Sequence, residues 1–121
     1  MARYLLLIYE DETAWAAKSP EEVQQIMGEY YAFGDSIRDT MRGGEALLPT
    51  QAATTVSVRD GKQVVTDGPF AETKEQLGGF YLVDADSPEQ ARDIAARIPS
   101  AKWGHIEVRE CQVFPEQPEH P

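Results

Sequence analysis

Side chains able to move a proton or hold a charged ligand crowd one stretch of this 121-residue sequence. Asp67 precedes Gly68-Pro69-Phe70, and Glu72, Lys74 and Glu75 follow directly. A carboxylate beside a glycine–proline turn can be held rigidly enough to serve as a base or ligand anchor. The structural alternative is favoured: an aspartate opening a turn accepts hydrogen bonds from backbone N–H groups two residues on. Gly68 supplies backbone freedom there and Pro69 stiffness. Lys74 can bind an anionic group, and its amine loses a proton more readily if desolvated. Glu72 or Glu75 would hold that lysine in place or move a proton. Charges packed this densely are more often a solvated surface. Phe70 reads as an anchor that pins the loop. Asp67, Glu72 and Lys74 are thus the candidate catalytic groups. Asp67, Phe70, Glu72, Lys74, Glu75 and Tyr81 are the candidate ligand contacts. One carboxylate of this set is expected within salt-bridge reach of Lys74 or Arg109.

The remaining reactive side chains are few. His105 is a natural proton shuttle at neutral pH, but it follows Lys102-Trp103-Gly104 and reads as a surface residue. Tyr81 offers a phenol on a strand, where core or interface packing is the commoner role. Cys111, the single cysteine, lies in an apolar run and reads as a small core residue. One cysteine excludes an internal disulfide and fits a reducing compartment. Metal-ligand spacings, a phosphate-cradling glycine loop and a nucleophile elbow are all missing from the sequence. No cofactor or metal is expected.

Charge narrows the partners. The formal net charge is −10 and the isoelectric point about 4.5. Such a surface repels phosphate backbones, so nucleic-acid binding through a basic patch is not expected. The acidity serves solubility, with a basic protein partner as the functional alternative. No apolar run approaches the ~20 residues that span a bilayer, and no signal peptide is read in Met1 to Tyr9. A cytoplasmic location with no membrane partner follows as an expectation.

Several elements must position these residues. Tyr4 to Tyr9 is an apolar run of strand length. Ser19-Pro20-Glu21-Glu22 opens a helix with a capping box and a proline at the first helical position. Val23, Ile26, Met27, Tyr30, Phe33, Ile37 and Met41 extend its apolar stripe, and Gly43-Gly44 is read as its end. A short strand follows from Glu45 to Leu48. Thr54 to Arg59 and Lys62 to Thr66 flank Asp60-Gly61, a strong hairpin signal. Gly78-Gly79 reads as a break before a strand at Phe80 to Val83. Ser87-Pro88-Glu89-Gln90 starts a second helix, striped by Ala91, Ile94, Ala95 and Ile98. A last strand is expected from His105 to Phe114, with a bulge near Glu110 where the apolar parity switches. The order β-α-β, hairpin, β-α-β fits a ferredoxin-like α+β domain: an antiparallel sheet with both helices on one face. The other face would be apolar and open, which implies a homodimer through sheet faces. One domain over residues 1–114 and a frayed tail over 115–121 are expected.

The stretch from Asp67-Gly68-Pro69-Phe70 through Ala71-Glu72-Thr73-Lys74-Glu75-Gln76-Leu77-Gly78-Gly79 to Phe80-Tyr81 closely resembles the signature of the DGPF branch of the YCII-related family. Asp84-Ala85-Asp86 and Ile106-Glu107-Val108-Arg109 agree with it. The resemblance covers roughly residues 3 to 114 and implies a ferredoxin-like domain in a dimeric α/β barrel-like assembly, with a cleft between subunits. Some members resemble lyases, including a dehydrochlorinase of chlorinated hydroxyquinol-type aromatics. Those carry a proposed His–Asp acid–base pair, with the histidine in the first helix. The helix expected here, Pro20 to Arg42, holds no histidine, so the pair is not carried over. The branch also resembles proteins encoded beside sigma factors, which implies a sigma-factor-type protein partner.

Two functions therefore stand. The preferred one is a homodimeric module that binds a small-molecule ligand or a protein, with a regulatory role as one form of it. The alternative is a cofactor-independent lyase or isomerase acting at an intersubunit cleft with Asp67, Glu72 and Lys74. A buried ionisable group in a deep apolar cleft would favour the enzyme.

Overall fold

A computed structural model describes residues 1–115. The chain runs β1 (Ala2–Glu10), α1 (Glu12–Ala16), α2 (Pro20–Ser36), β2 (Met41–Ala46), β3 (Thr54–Arg59), β4 (Lys62–Asp67), β5 (Gln76–Ala85), α3 (Pro88–Arg97) and β6 (His105–Glu110). Strands β2-β5-β1-β6 form one sheet in that order, with every neighbouring pair antiparallel. This is the ferredoxin-like arrangement.

The alternation of β1 shows how the layers form. Tyr4, Leu6, Ile8 and Glu10 are buried, and the residues between them are half-buried. The buried set points at the helices. It packs with Val83 and Ala85 of β5, Phe33 and Ile37 at the end of α2, and Ala91, Ile94, Ala95 and Ile98 of α3. Each large apolar side chain sealed in this layer contributes about 1.5–3 kcal/mol. Both long helices therefore lie on one face. Ser19 caps α2: its Oγ accepts from the Glu22 N–H at 3.2 Å, and Glu22 Oε1 accepts from the Ser19 N–H at 3.0 Å. Ser87 caps α3 through the Gln90 N–H at 3.1 Å.

Several boundaries differ from the sequence reading. Helix α2 stops at Ser36, not at Arg42, and Gly43-Gly44 lies inside β2. The N–H groups of Thr40 and Met41 both bond the Ile37 carbonyl, turning the chain into the strand. Ile37 and Met41 prolong the helical spacing only because both face the helix layer from outside the helix. Strand β2 begins at Met41 rather than Glu45, and Arg42 is its extra residue, since Met41 pairs with Val83 and Gly43 with Leu82. Gly78-Gly79 does not break order either. Both lie within β5, where Gly78 forms a bulge between the Ile8–Gly79 and Tyr9–Leu77 pairs. No bulge occurs near Glu110: β6 ends there in regular register. The polar stretch after β1 hides helix α1, capped by Asp11, whose Oδ1 accepts from the Thr13 N–H at 2.9 Å. Of the tail expected over 115–121, residues 116–121 lie outside the described residues.

The inserted hairpin β3–β4 forms its own two-stranded sheet. Asp60 (φ 53°) and Gly61 (φ 74°) both adopt the left-handed conformation, as the Asp-Gly pair predicts. Val56, Val58, Val64 and Val65 remain exposed on it. Its base is closed by Gly68, whose N–H donates to the Ala53 carbonyl at 2.7 Å and whose carbonyl accepts from Thr55 Oγ1 at 2.8 Å.

Candidate functional site

The sheet is wider than its helical cover. On the β2–β5 side a cavity of about 770 Å³ opens between α2 and the sheet. Small-molecule sites fall in roughly this range of size. Its floor is Ile8 and Glu10 of β1 with Gly79 and Tyr81 of β5. Met27, Tyr30, Tyr31 and Gly34 of α2 form the roof, and Trp15 of α1 stands at one end. The rim carries Glu12, Asp35, Arg38 and Glu45.

Local structure explains why the space persists. A Cβ added to Gly34, in the last turn of α2, would meet no atom within 4 Å, so this glycine widens the cavity instead of allowing close packing. Gly44 does the opposite. A Cβ there would lie 2.9 Å from the Phe80 carbonyl oxygen and 3.0 Å from Tyr81 Cδ1, so glycine is what admits the Tyr81 ring. Phe33 fixes that ring from the other side, edge to face, with centroids 5.2 Å apart.

Glu10 is the unusual residue of the floor. It is only 7% exposed, the last of the inward-facing positions on β1. The Trp15 indole N–H donates to its Oε2. Its other oxygen, Oε1, has no donor among the described residues, and no sealed side-chain oxygen lacks a partner, so Oε1 keeps access to the cavity. Two phenols share the site. Burial pushes the Tyr30 hydroxyl up to about 12, and its bond with Ser100 Oγ opposes the shift. Burial also raises Tyr81. Both phenols are therefore neutral over the physiological range.

Helix α1 is strapped across the end of the cavity. Glu12 accepts from the Thr50 N–H at 2.6 Å and from Thr50 Oγ1 at 2.8 Å. The Glu12 N–H donates to Gln76 Oε1 at 2.9 Å, and Gln76 Nε2 donates to the Thr73 carbonyl at 2.7 Å. These bonds join the signature stretch to the cavity wall. The stretch divides at Gln76: from there Gln76, Gly78, Gly79, Phe80 and Tyr81 line the cavity, while the part before it lies outside.

Of the residues singled out from sequence, Tyr81 alone is in this cavity. Asp67 ends β4 and, like Glu72 and Lys74, is exposed. Phe70 does not pin the loop: it is 90% exposed, because the chain turns at Gly68 (φ 98°) away from the core. No carboxylate among the described residues pairs with Lys74 or Arg109. Glu75 instead meets His105, with Oε1 2.7 Å from Nδ1. His105 is a surface residue, its side chain 81% exposed. Cys111 is half-buried beside the end of β6. Among the described residues no three His, Cys, Asp or Glu side chains come together as metal ligands. No helix there is long and apolar enough to cross a membrane. Sequence reasoning missed Glu10 and Trp15. The signal for Glu10 was the period-two pattern of Tyr4, Leu6 and Ile8, which continues to it. Trp15 was the one large apolar residue in a polar stretch.

An antiparallel sheet with two long helices on one face and a cavity under one of them defines a small ferredoxin-like α+β protein. The chain belongs to the YCII-related domain family, whose sequence pattern matches residues 2–115. It is similar to an uncharacterized protein of Rhizobium meliloti, 39% identical over 115 residues, covering 92% of this chain and 93% of that one. Among solved structures it is similar to a 5-chloro-2-hydroxyhydroquinone dehydrochlorinase of Burkholderia phenoliruptrix in complex with 2,5-dihydroxybenzoquinone. That likeness has a TM-score of 0.48 and 13% identity, covering 91% of this chain and 93% of that chain.

Proposed function

We propose that this chain is a homodimeric small-molecule-binding protein whose ligand occupies the cavity under α2. The observation that carries the reading is Glu10, a buried carboxylate with one oxygen open to a chamber walled by aromatic and aliphatic side chains. Such convergence of a polar group and apolar walls is the ordinary make-up of a ligand site. The candidate residues Asp67, Glu72 and Lys74 are too exposed to desolvate a ligand alone. The alternative, a lyase- or isomerase-type activity, draws its support from Glu10 instead.

Dimerisation rests on the open sheet face. Leu5 pairs with Leu82 and Leu7 with Phe80, and these four side chains point away from the helices. No helix among the described residues covers them, and an apolar patch of this kind is characteristic of an interface. The exposed valines of the hairpin add to the apolar surface a second copy would cover.

Native mass spectrometry of freshly purified protein tests the ligand reading. A retained small molecule is the expected result, and Gly34→Phe should abolish retention by filling space that is open in the wild type. Retention undiminished in that variant would place the ligand elsewhere.

A further inference from the structure

We propose that the cavity selects an organic cation: an amine whose ammonium donates to Glu10 Oε1 while its apolar body lies against Trp15, Tyr30 and Tyr81. This deepens the binding reading above and rests on it. Three observations lead there. First, the floor group is a carboxylate that, among the described residues, accepts one hydrogen bond, at Oε2 from the Trp15 indole. When ionised it can only accept, so its partner must be a donor. An ionised donor makes the stronger bond. A ligand carboxylate placed there would meet like charge in a partly desolvated space, which is costly.

Second, the charges around the chamber are one-sided. Three carboxylates stand around it, Glu10, Glu12 and Asp35, against one guanidinium, Arg38. Arg38 is already committed, with Nη2 2.6 Å from Asp35 Oδ1. Glu12 is held by Thr50 and acts through its field rather than by contact. The net charge of −10 adds long-range attraction for cations.

Third, the walls suit a cation. Trp15, Tyr30, Tyr31 and Tyr81 present aromatic surface, whose faces attract cations and whose area shelters an apolar body. The chain uses the same interaction itself, with Lys18 Nζ 5.9 Å from the Trp15 ring centroid. The Tyr30 hydroxyl already shares a hydrogen bond with Ser100 Oγ. Trp15 acts as a positioning residue that fixes which carboxylate oxygen faces the ligand.

Calorimetric titration of the full chain with 2-phenylethylamine, 2-phenylethanol and 3-phenylpropionate at neutral pH separates the ideas. The three probes share a phenyl body and differ in charge. The amine is expected to bind about tenfold more tightly than the alcohol, the difference between a charged and a neutral hydrogen bond, and the carboxylate least of all. Glu10→Gln should bring the amine down to the alcohol's affinity and leave the alcohol unchanged. Trp15→Phe, which leaves Glu10 in place, should narrow the amine's advantage should Glu10→Gln not fold. If the alcohol binds as well as the amine, with Gly34→Phe blocking both, the cavity is a ligand site but the cation inference is wrong. If no probe binds, both readings fall.

Discussion

Tyr30 and Asp84 are the side chains whose titration should govern stability at the two ends of the pH scale. Tyr30 is raised to about 12 by burial, and Tyr4, Tyr9 and Tyr81 are raised for the same reason. A phenol with a raised folded-state value contributes stability that is intact below its unfolded value near 10 and is lost as the pH climbs toward the folded one. Stability measured by urea unfolding is therefore expected to fall above pH 10. Tyr30→Phe should remove one proton's share of that slope, about 1.4 kcal/mol per pH unit, and an unaltered slope would mean the hydroxyl is solvated. Asp84 works in the other direction. Arg3 Nε lies 3.0 Å from Oδ1 and Arg42 Nε 2.8 Å from Oδ2, and the Arg3 hydrogen bond leads in holding the carboxyl below its ordinary range. That stability is present above the unfolded value near 4 and disappears as the pH falls through the folded one. Asp84→Asn should lower the neutral-pH midpoint and flatten the acid limb. Neither role is visible along the sequence, where Arg3 and Asp84 stand eighty-one positions apart.

At the scale of elements, glycines separate tight joints from open space. Gly104 leads into β6, where an added Cβ would run into the Tyr9 carbonyl oxygen. Gly104→Ala should destabilise the domain by about 1–3 kcal/mol as the β1–β6 end is forced apart. Gly34 has nothing near its Cβ position, so Gly34→Ala should stabilise by about 0.5–1 kcal/mol through helix propensity alone. Urea midpoints of the two variants give the comparison, and a loss at Gly34 would show that α2 needs its flexibility. The start of α2 was legible because capping is local: Ser19, Pro20 and Glu22 satisfy the first turn without help. Its end was not, because Ile37 and Met41 keep helical spacing while lying in a turn and a strand beyond the helix. Gly78 was misread for a related reason, since a bulge needs the facing strand to give it meaning.

For the whole molecule, the question is what covers the open sheet face. Light scattering at micromolar concentration is expected to give twice the chain mass of 13.5 kDa. Leu7→Glu places a charge amid Leu5, Phe80 and Leu82 and should yield folded monomers. A wild-type monomer at that concentration would remove the dimer from the proposal. The acidic surface gives such a dimer no electrostatic help, so apolar area must hold it together.

The sequence by itself determined the starts of both long helices, the ferredoxin-like order and the hairpin. Strand alternation, helix caps and the Asp60-Gly61 turn are set by neighbours a few residues apart. The tertiary structure alone decided where the candidate site lies. Glu10, Trp15, Tyr30 and Tyr81 come from four separate elements, and only the uneven cover of α2 over the sheet brings them around one space. Asp67, Glu72 and Lys74 drew attention through density of charge along the chain. Desolvation is a property of three-dimensional packing, and it falls on the quiet carboxylate at the end of β1.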